Sequence, residues 1–128
     1  MKPQPLIAVR DVEASSRWYQ HLLGCTSGHG GAEYEQLVDP AGTLILQLHA
    51  WEAHEHPHMG DPAIRPYGNG VLLWFQIDDF DAAVGPARDK AVEILEGPRV
   101  NPNANHREVW LRDPEGYVVV LASAYGDV

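Results

Sequence analysis

The chain has 128 residues, of which 45% are apolar, so it is long enough to bury a hydrophobic core. Its formal net charge is −9 and its basic residues form no cluster, which argues against nucleic acid and anionic membranes as partners. A single cysteine excludes an internal disulfide, and the absence of a signal-like or membrane-spanning apolar run predicts a soluble, cytoplasmic protein.

One order of elements occurs twice along the chain. An apolar run ends in an aspartate that opens a helix, at Asp11 and again at Asp79, and an Asp-Pro-x-Gly segment follows at residues 39–42 and 113–116. Aspartate, proline and glycine in this order are typical of a tight turn between two strands. The order strand, helix, strands, turn, strand therefore predicts two similar units.

The first unit begins with a predicted strand at residues 4–10. A helix follows, capped by Asp11 and ended by Gly24. Residues 25–31 are only weakly strand-like, and residues 32–38 alternate more clearly. In the strand after the first turn, alternation places Leu44, Leu46 and Leu48 toward the helix, and it leaves a mixed face of Thr43, Ile45, Gln47 and His49.

Residues 53–69 connect the two units and show no helical periodicity. We expect a lid or a partner-contact loop, because so long an irregular segment is unusual in a compact domain. His54, His56 and His58 alternate along it. They suit either metal binding or a solvated polar loop, and the sequence leaves both interpretations open.

The second unit begins with a strand at residues 71–77. A helix from Asp79 through about Ala91 follows, interrupted at Gly85-Pro86, where Pro86 lacks the N–H that would bond back to Ala82. Further strands are predicted at residues 92–100, 106–112 and 117–122, with a loop at 101–105. Alternation groups Leu72, Trp74 and Gln76 on one strand face, and His106, Glu108 and Trp110 on another.

These features resemble the vicinal oxygen chelate superfamily, which includes glyoxalase I, bleomycin-resistance proteins and extradiol dioxygenases. The resemblance is carried by Val9-Arg10-Asp11 with Trp18-Tyr19 and Leu23-Gly24, by the counterpart Ile77-Asp78-Asp79, and by the two turns. It implies an α+β fold of two βαβββ modules, at about residues 1–52 and 70–125, whose curved mixed sheets pair around a cavity. It also implies a homodimer.

Enzymes of this superfamily hold a divalent metal with one ligand from each of four strands. The family pattern places these positions at Gln4, Gln47, Leu72 and Val120, with Leu46 as the alternative to Gln47. Leucine and valine have no donor atom, and amide oxygens are poor ligands beside the histidine and carboxylate that zinc or iron favours. The resemblance therefore implies a member without the inherited metal site, closest to the bleomycin-resistance branch.

Other polar residues offer weaker chemistry. His106 with Glu108 suits either an acid/base pair in the cavity or a solvated strand face, and His49 suits either a cavity or a rim position. Cys25 has no neighbour that would lower its thiol pKa, so an inert thiol is the expectation.

The aromatic residues Tyr34, Trp51, Trp74 and Trp110 favour a flat or cationic organic ligand, although a core or dimer role is open for each. The sequence thus predicts a small-molecule-binding protein without a catalytic metal, with Gln4, Gln47, Gln76, His49 and His106 orienting the ligand. The alternative is a metal-dependent lyase, isomerase or dioxygenase with a site rebuilt from histidines and Glu108. A scaffold with a filled cavity is a third interpretation.

Overall fold

The structure is a computed structural model that describes residues 2–51, 63, 65, 71–89 and 91–128. The chain divides into two compact units, Met1–Pro66 (unit 1) and Tyr67–Val128 (unit 2). Each unit runs strand, helix, three strands, so the predicted α+β fold of two βαβββ modules is confirmed. The predicted histidine-rich stretch of His54, His56 and His58 lies outside the described residues.

Unit 1 is a four-stranded mixed sheet with one helix. Its elements are β1 (Leu6–Val9), α1 (Val12–Leu23), β2 (Thr26–Ser27), β3 (Tyr34–Val38) and β4 (Leu44–Ala50). The strand order is β1-β4-β3-β2, with β1 parallel to β4 and the other pairs antiparallel. The predicted start of β1 at Gln4 is wrong, because Pro3 and Pro5 have no N–H with which to extend the ladder.

Unit 2 repeats this arrangement. Its elements are β5 (Leu72–Gln76), α2 (Phe80–Ala87), β6 (Glu93–Asn101), β7 (His106–Arg112) and β8 (Val118–Ala122). The strand order β5-β8-β7-β6 matches that of unit 1, and β5 is again parallel to its neighbour. None of the helices in the described ranges is long and apolar enough to cross a membrane.

The repeated caps and turns form as predicted. The side chains of Asp11 and Asp79 each accept a hydrogen bond from the backbone N–H three residues later, at 2.9 and 3.1 Å. In the two turns, Gly42 and Gly116 have φ angles of 83° and 97°, which glycine adopts readily. The aspartate of each turn also accepts a bond from the backbone N–H of the residue just before the next strand, Thr43 or Tyr117.

Helix α2 ends earlier than predicted, at Ala87 rather than near Ala91. Pro86 removes one helical hydrogen bond, and Asp89 then forms a turn by accepting the backbone N–H of Ala91 at 3.0 Å. Ala91 is consequently exposed. The helix therefore covers the sheet with a shorter apolar stripe, made of Phe80, Val84 and Ala87.

Each sheet has one face toward its helix and one face away from it. In unit 1 the helix-facing residues of β4, Leu46 and Leu48, are fully buried, as alternation predicts. In unit 2 the alternate positions of β7 and β8 fill the same role, namely Val109, Leu111, Val119 and Leu121. The opposite faces carry the polar and aromatic residues singled out from the sequence.

A buried carboxylate joins the helix and the sheet of unit 1. Glu35 on β3 accepts hydrogen bonds from the hydroxyl of Ser16 on α1 at 2.8 Å, and from the backbone N–H of Gly30 at 2.7 Å and of His29 at 3.2 Å. Burial acts to raise the pKa of Glu35, but the hydrogen bonds from Gly30, Ser27, Ser16 and Gln36 hold it below its ordinary value. This carboxylate thus fixes the glycine-rich segment 28–31 against the helix.

Replacing this carboxylate should cost stability in a pH-dependent way. We expect Glu35→Gln to lower the free energy of unfolding by about 1.5–3 kcal/mol near neutral pH, because it removes charge-assisted hydrogen bonds from a buried site. Since the folded state lowers the pKa of Glu35, the stabilising effect is present above the ordinary glutamate pKa and disappears as pH falls through the lower folded value. Urea unfolding at several pH values measures the difference between the two proteins.

The matched control is Glu13→Gln, which changes an exposed glutamate in the first turn of α1. Its effect should stay within about 1 kcal/mol at every pH. An equal loss of stability in both variants would contradict the role assigned to Glu35.

Candidate functional site

Seven of the predicted site residues lie on the face of unit 2 that points away from α2. They are Leu72, Trp74 and Gln76 on β5, His106, Glu108 and Trp110 on β7, and Val120 on β8. We call this surface the tryptophan face. The indole rings of Trp74 and Trp110 meet edge to face, with centroids 6.4 Å apart and an interplanar angle of 86°. The ring of His106 lies 5.7 Å from that of Trp74.

The predicted position Val120 forms the floor beneath the two indoles. In the sheet register Val120 lies opposite both Trp74 and Trp110, and it is 0% exposed. Trp74 itself stays 44% exposed and Leu72 43% exposed. Unit 2 therefore presents an apolar aromatic surface to solvent over a hydrocarbon base, the kind of exposed patch that marks an interaction site.

Glu108 lies on the same face but is completely buried. Its carboxylate accepts hydrogen bonds from four side chains: Arg99 at 3.0 Å, Asn101 at 3.3 Å, His106 at 2.8 Å and Trp110 at 3.0 Å. We call these five residues the Glu108 cluster. An ionised carboxylate can accept hydrogen bonds but cannot donate them. Nε2 of His106 therefore carries the proton in its bond to Glu108.

The cluster holds Glu108 in its charged form. Burial acts to raise the pKa of Glu108, but the four donors outweigh it, with the hydrogen bond from His106 the largest of their effects, and the pKa lies below its ordinary value. The interpretation of His106 and Glu108 as a solvated strand face is wrong, because their exposed fractions are 7% and 0%. With these four bonds, Glu108 is better suited to act as a fixed charge that orients Trp110 and His106 than to act as a proton acceptor.

A bulge in β6 brings Arg99 to this cluster. Glu96 lies opposite Trp110 and Arg99 lies opposite Glu108, so between these pairs β6 has two residues, Gly97 and Pro98, where β7 has only Val109. Without the extra residue, Pro98 would lie opposite Glu108. Gly97 has a φ of 84° at the bulge, and a Cβ there would lie 2.7 Å from the backbone oxygen of Glu108. Only glycine fits at this position.

The predicted residues of unit 1 lie on the corresponding face of its sheet. Gln47 and His49 share that face with Tyr34 on β3, which pairs with His49. Gln47 is occupied by protein partners: its amide oxygen accepts from the hydroxyl of Tyr34, and its amide nitrogen donates to the backbone oxygen of Gln4 at 2.9 Å. Gln4 precedes β1 and is exposed. It contacts Gln47 through its backbone oxygen.

The four positions that the family pattern assigns to a metal do not fit one. Leu72 and Val120 offer no donor atom, and the amide of Gln47 is bonded to Tyr34 and to the backbone at Gln4. The alternative position Leu46 is buried on the helix side. Among the described residues no group of three or more histidine, cysteine, aspartate or glutamate side chains is placed to hold an ion.

Sequence reasoning missed three residues that the structure brings to these surfaces. Arg99 and Asn101 join Glu108 through a bulged register that alternation does not reveal. His29 lies in the glycine-rich segment, where the centroid of its ring is 5.0 Å from that of Tyr34.

Cys25 is buried, and burial raises its thiol pKa to about 11, so it remains a protonated thiol near neutral pH.

The close approach at Gly97 gives a test of the bulge. Gly97→Ala and Gly42→Ala impose nearly the same backbone strain, since the φ angles are 84° and 83°, but a Cβ at Gly42 meets no atom within 4 Å. We expect both variants to lose about 1 kcal/mol from the positive φ, and Gly97→Ala to lose about 1–3 kcal/mol more from the clash with β7. Denaturant unfolding of the two variants measures that excess, and equal losses would show that the bulge tolerates a side chain.

Solved structures share the fold of this chain at low sequence identity. A glyoxalase/bleomycin resistance protein/dioxygenase family enzyme from Burkholderia phytofirmans PsJN is 22% identical, with a TM-score of 0.75 over 94% of this chain and 96% of the other. A glyoxalase/dioxygenase from Nostoc punctiforme is 22% identical, with a TM-score of 0.68 over 94% and 88%. An integron cassette protein from Vibrio cholerae is 20% identical, with a TM-score of 0.67 over 96% and 94%.

Sequence comparison with curated proteins found no significant match. The family model of the glyoxalase/bleomycin resistance protein/dioxygenase superfamily, however, matches residues 3–121, almost the full length of the chain. The two βαβββ units with their shared strand order agree with this match, so the fold and the sequence indicate the same family. The chain belongs to the glyoxalase/bleomycin resistance protein/dioxygenase superfamily.

Proposed function

We propose that this protein binds and sequesters a small aromatic or cationic organic molecule on the tryptophan face, without a catalytic metal. The observation that carries the proposal is the pair of perpendicular indoles, one of them 44% exposed, above the buried Val120. An exposed indole offers a flat apolar ligand a stacking surface, and its ring face attracts organic cations. The cytoplasmic location and the homodimer stay predictions of the sequence.

The Glu108 cluster supports this role by holding the surface in one conformation before the ligand arrives. The hydrogen bond from Trp110 to Glu108 fixes one indole, and that indole packs against Trp74. A surface that is already ordered loses less conformational entropy when it binds. The exposed Gln76 supplies a polar group at the edge of this surface that would orient the ligand.

The charge of the protein favours cations over anions as ligands. The chain carries a net charge of −9, so the average field attracts positive molecules and raises their local concentration. Within the Glu108 cluster one arginine faces one carboxylate, and Arg99 is further paired with Glu96 at 3.1 Å. Arg99 therefore provides no unbalanced positive charge for an anionic ligand.

The alternative function, a metal-dependent lyase, isomerase or dioxygenase, requires a rebuilt ligand set. Its strongest candidates in the described residues are His106 and Glu108, but the carboxylate of Glu108 already accepts four hydrogen bonds. Binding a metal there would require several of these bonds to break inside a buried site. The structure therefore favours ligand sequestration over a metal-dependent reaction at this site.

Proflavine, a flat aromatic cation, tests the proposal with a matched pair of variants. We expect Trp74→Leu to weaken proflavine binding about tenfold, because it keeps an apolar side chain but removes the stacking surface. Trp18→Leu should leave the affinity unchanged, since Trp18 lies on α1 of unit 1 and packs edge to face on Tyr19. Isothermal titration calorimetry gives both dissociation constants.

Metal content separates the two functions in the same samples. Protein purified without a histidine tag should hold no stoichiometric zinc, nickel, manganese or iron, and a chelator should not change its affinity for proflavine. One equivalent of bound metal, or equal proflavine affinity in wild type and Trp74→Leu, would contradict sequestration on the tryptophan face.

A further inference from the structure

Unit 2 contains a groove between helix α2 and the edge strand β6. Its volume is about 210 Å³, so it suits a ligand smaller than the drug-sized molecules that occupy pockets of about 300 Å³ or more. Its apolar lining is made of Phe80, Val84, Pro98 and Val100. Phe80 and Val84 are buried, whereas Val100 remains 52% exposed. The groove therefore offers uncovered apolar surface beside a packed apolar wall.

The sheet separates this groove from the tryptophan face. Val100 lies opposite Arg107 in the register of β6 and β7, and residues paired in this way have side chains on the same face of a sheet. Arg107 contacts α2, because its guanidinium carbon lies 5.0 Å from the ring centroid of Phe80 and its Nη1 donates to Asp81 at 2.8 Å. The groove consequently lies on the helix side of unit 2.

Two of the three arginines that line the groove are balanced by carboxylates. Arg107 donates to Asp81 at 2.8 Å and to Asp127 at 3.1 and 3.2 Å. Arg99 donates to Glu108 at 3.0 Å, on the other side of the sheet. These two guanidinium groups therefore add no unbalanced positive charge to the groove.

Arg88 is the third arginine, and its charge is not balanced in this way. It follows α2 directly as the C-cap residue and is exposed. Within the ranges that the structure describes, its guanidinium makes no hydrogen bond or ion pair. A cation at a helix C-terminus stabilises the helix, but that effect leaves the planar set of N–H donors available. A guanidinium of this kind can bond both oxygens of a carboxylate.

We propose that this groove is a second binding site, selective for small monocarboxylates that carry an apolar body. The guanidinium of Arg88 binds the carboxylate, and Val84 and Val100 pack against the body. One unbalanced guanidinium matches one negative charge, whereas Asp81 and the net charge of −9 disfavour a second. The site lies on the helix side and does not rest on the function proposed for the tryptophan face.

Benzoate is the probe, and benzamide is a neutral molecule of nearly the same shape. In a nuclear magnetic resonance titration of the full chain, benzoate should shift the backbone amide signals of Val84, Arg88 and Val100. Benzamide at the same concentrations should shift them much less, because it has no charge to pair with Arg88. Arg88→Gln should weaken benzoate binding about tenfold, since it removes that pair.

Two further variants make the outcome specific. Arg17→Gln is the matched control, because it removes the same charge from an exposed position on α1 of unit 1, and it should leave benzoate affinity unchanged. Val100→Asp tests the groove without altering Arg88. It places a carboxylate at an exposed position beside the ligand, and the repulsion should weaken benzoate binding at least as much as Arg88→Gln does.

Several results would overturn the proposal. They are no benzoate shift at Val84, Arg88 and Val100, equal shifts with benzamide, equal weakening by Arg17→Gln and Arg88→Gln, or unchanged binding in Val100→Asp.

Trp74→Leu distinguishes this proposal from the function assigned to the tryptophan face. It should bind benzoate as the wild type does. Loss of benzoate binding in Trp74→Leu, with wild-type affinity in Arg88→Gln, would overturn the groove. Equal proflavine affinity in wild type and Trp74→Leu, with benzoate binding still weakened by Arg88→Gln, would overturn the function of the tryptophan face and support the groove.

Discussion

The carboxylate of Glu108 is fully buried on a sheet face that also carries a half-exposed indole, and four hydrogen-bond donors balance its charge. Moving these donors away would leave an unpaired buried charge, which costs roughly several kcal/mol. The folded unit therefore keeps the donors in place. Two of them, His106 and Trp110, belong to the candidate site. The electrostatic need to satisfy one buried carboxylate therefore also fixes the shape of the tryptophan face, and it links the stability of unit 2 to its proposed ligand surface.

The two units repeat the same strand order but use their buried carboxylates differently. Glu35 in unit 1 faces the helix and ties α1 to the glycine-rich segment, whereas Glu108 in unit 2 faces away from α2. The repeat is therefore one of backbone architecture and not of chemistry. Each unit presents its own surface: unit 1 a cleft lined by Tyr34 and segment 29–33, and unit 2 an apolar pair of indoles above Val120.

Much of the fold was predictable because it depends on local patterns. Helix caps at Asp11 and Asp79 and the alternation along β7 need only neighbouring residues, and they form as expected. The Glu108 cluster was not predictable, because Arg99 reaches Glu108 only through a bulge whose register depends on how β6 pairs with β7. Helix α2 was predicted too long because the turn at Asp89 competes with continued helix after Pro86.

We propose that an organic molecule, and not a metal ion, is the partner of the tryptophan face. A crystal structure of the untagged protein with proflavine, recorded with anomalous data at the zinc and iron edges, tests it most directly. We expect planar density stacked on Trp74 and no anomalous peak near Leu72 or Val120. An anomalous peak coordinated by His106 or Glu108, with the Glu108 cluster rearranged around it, would contradict the account.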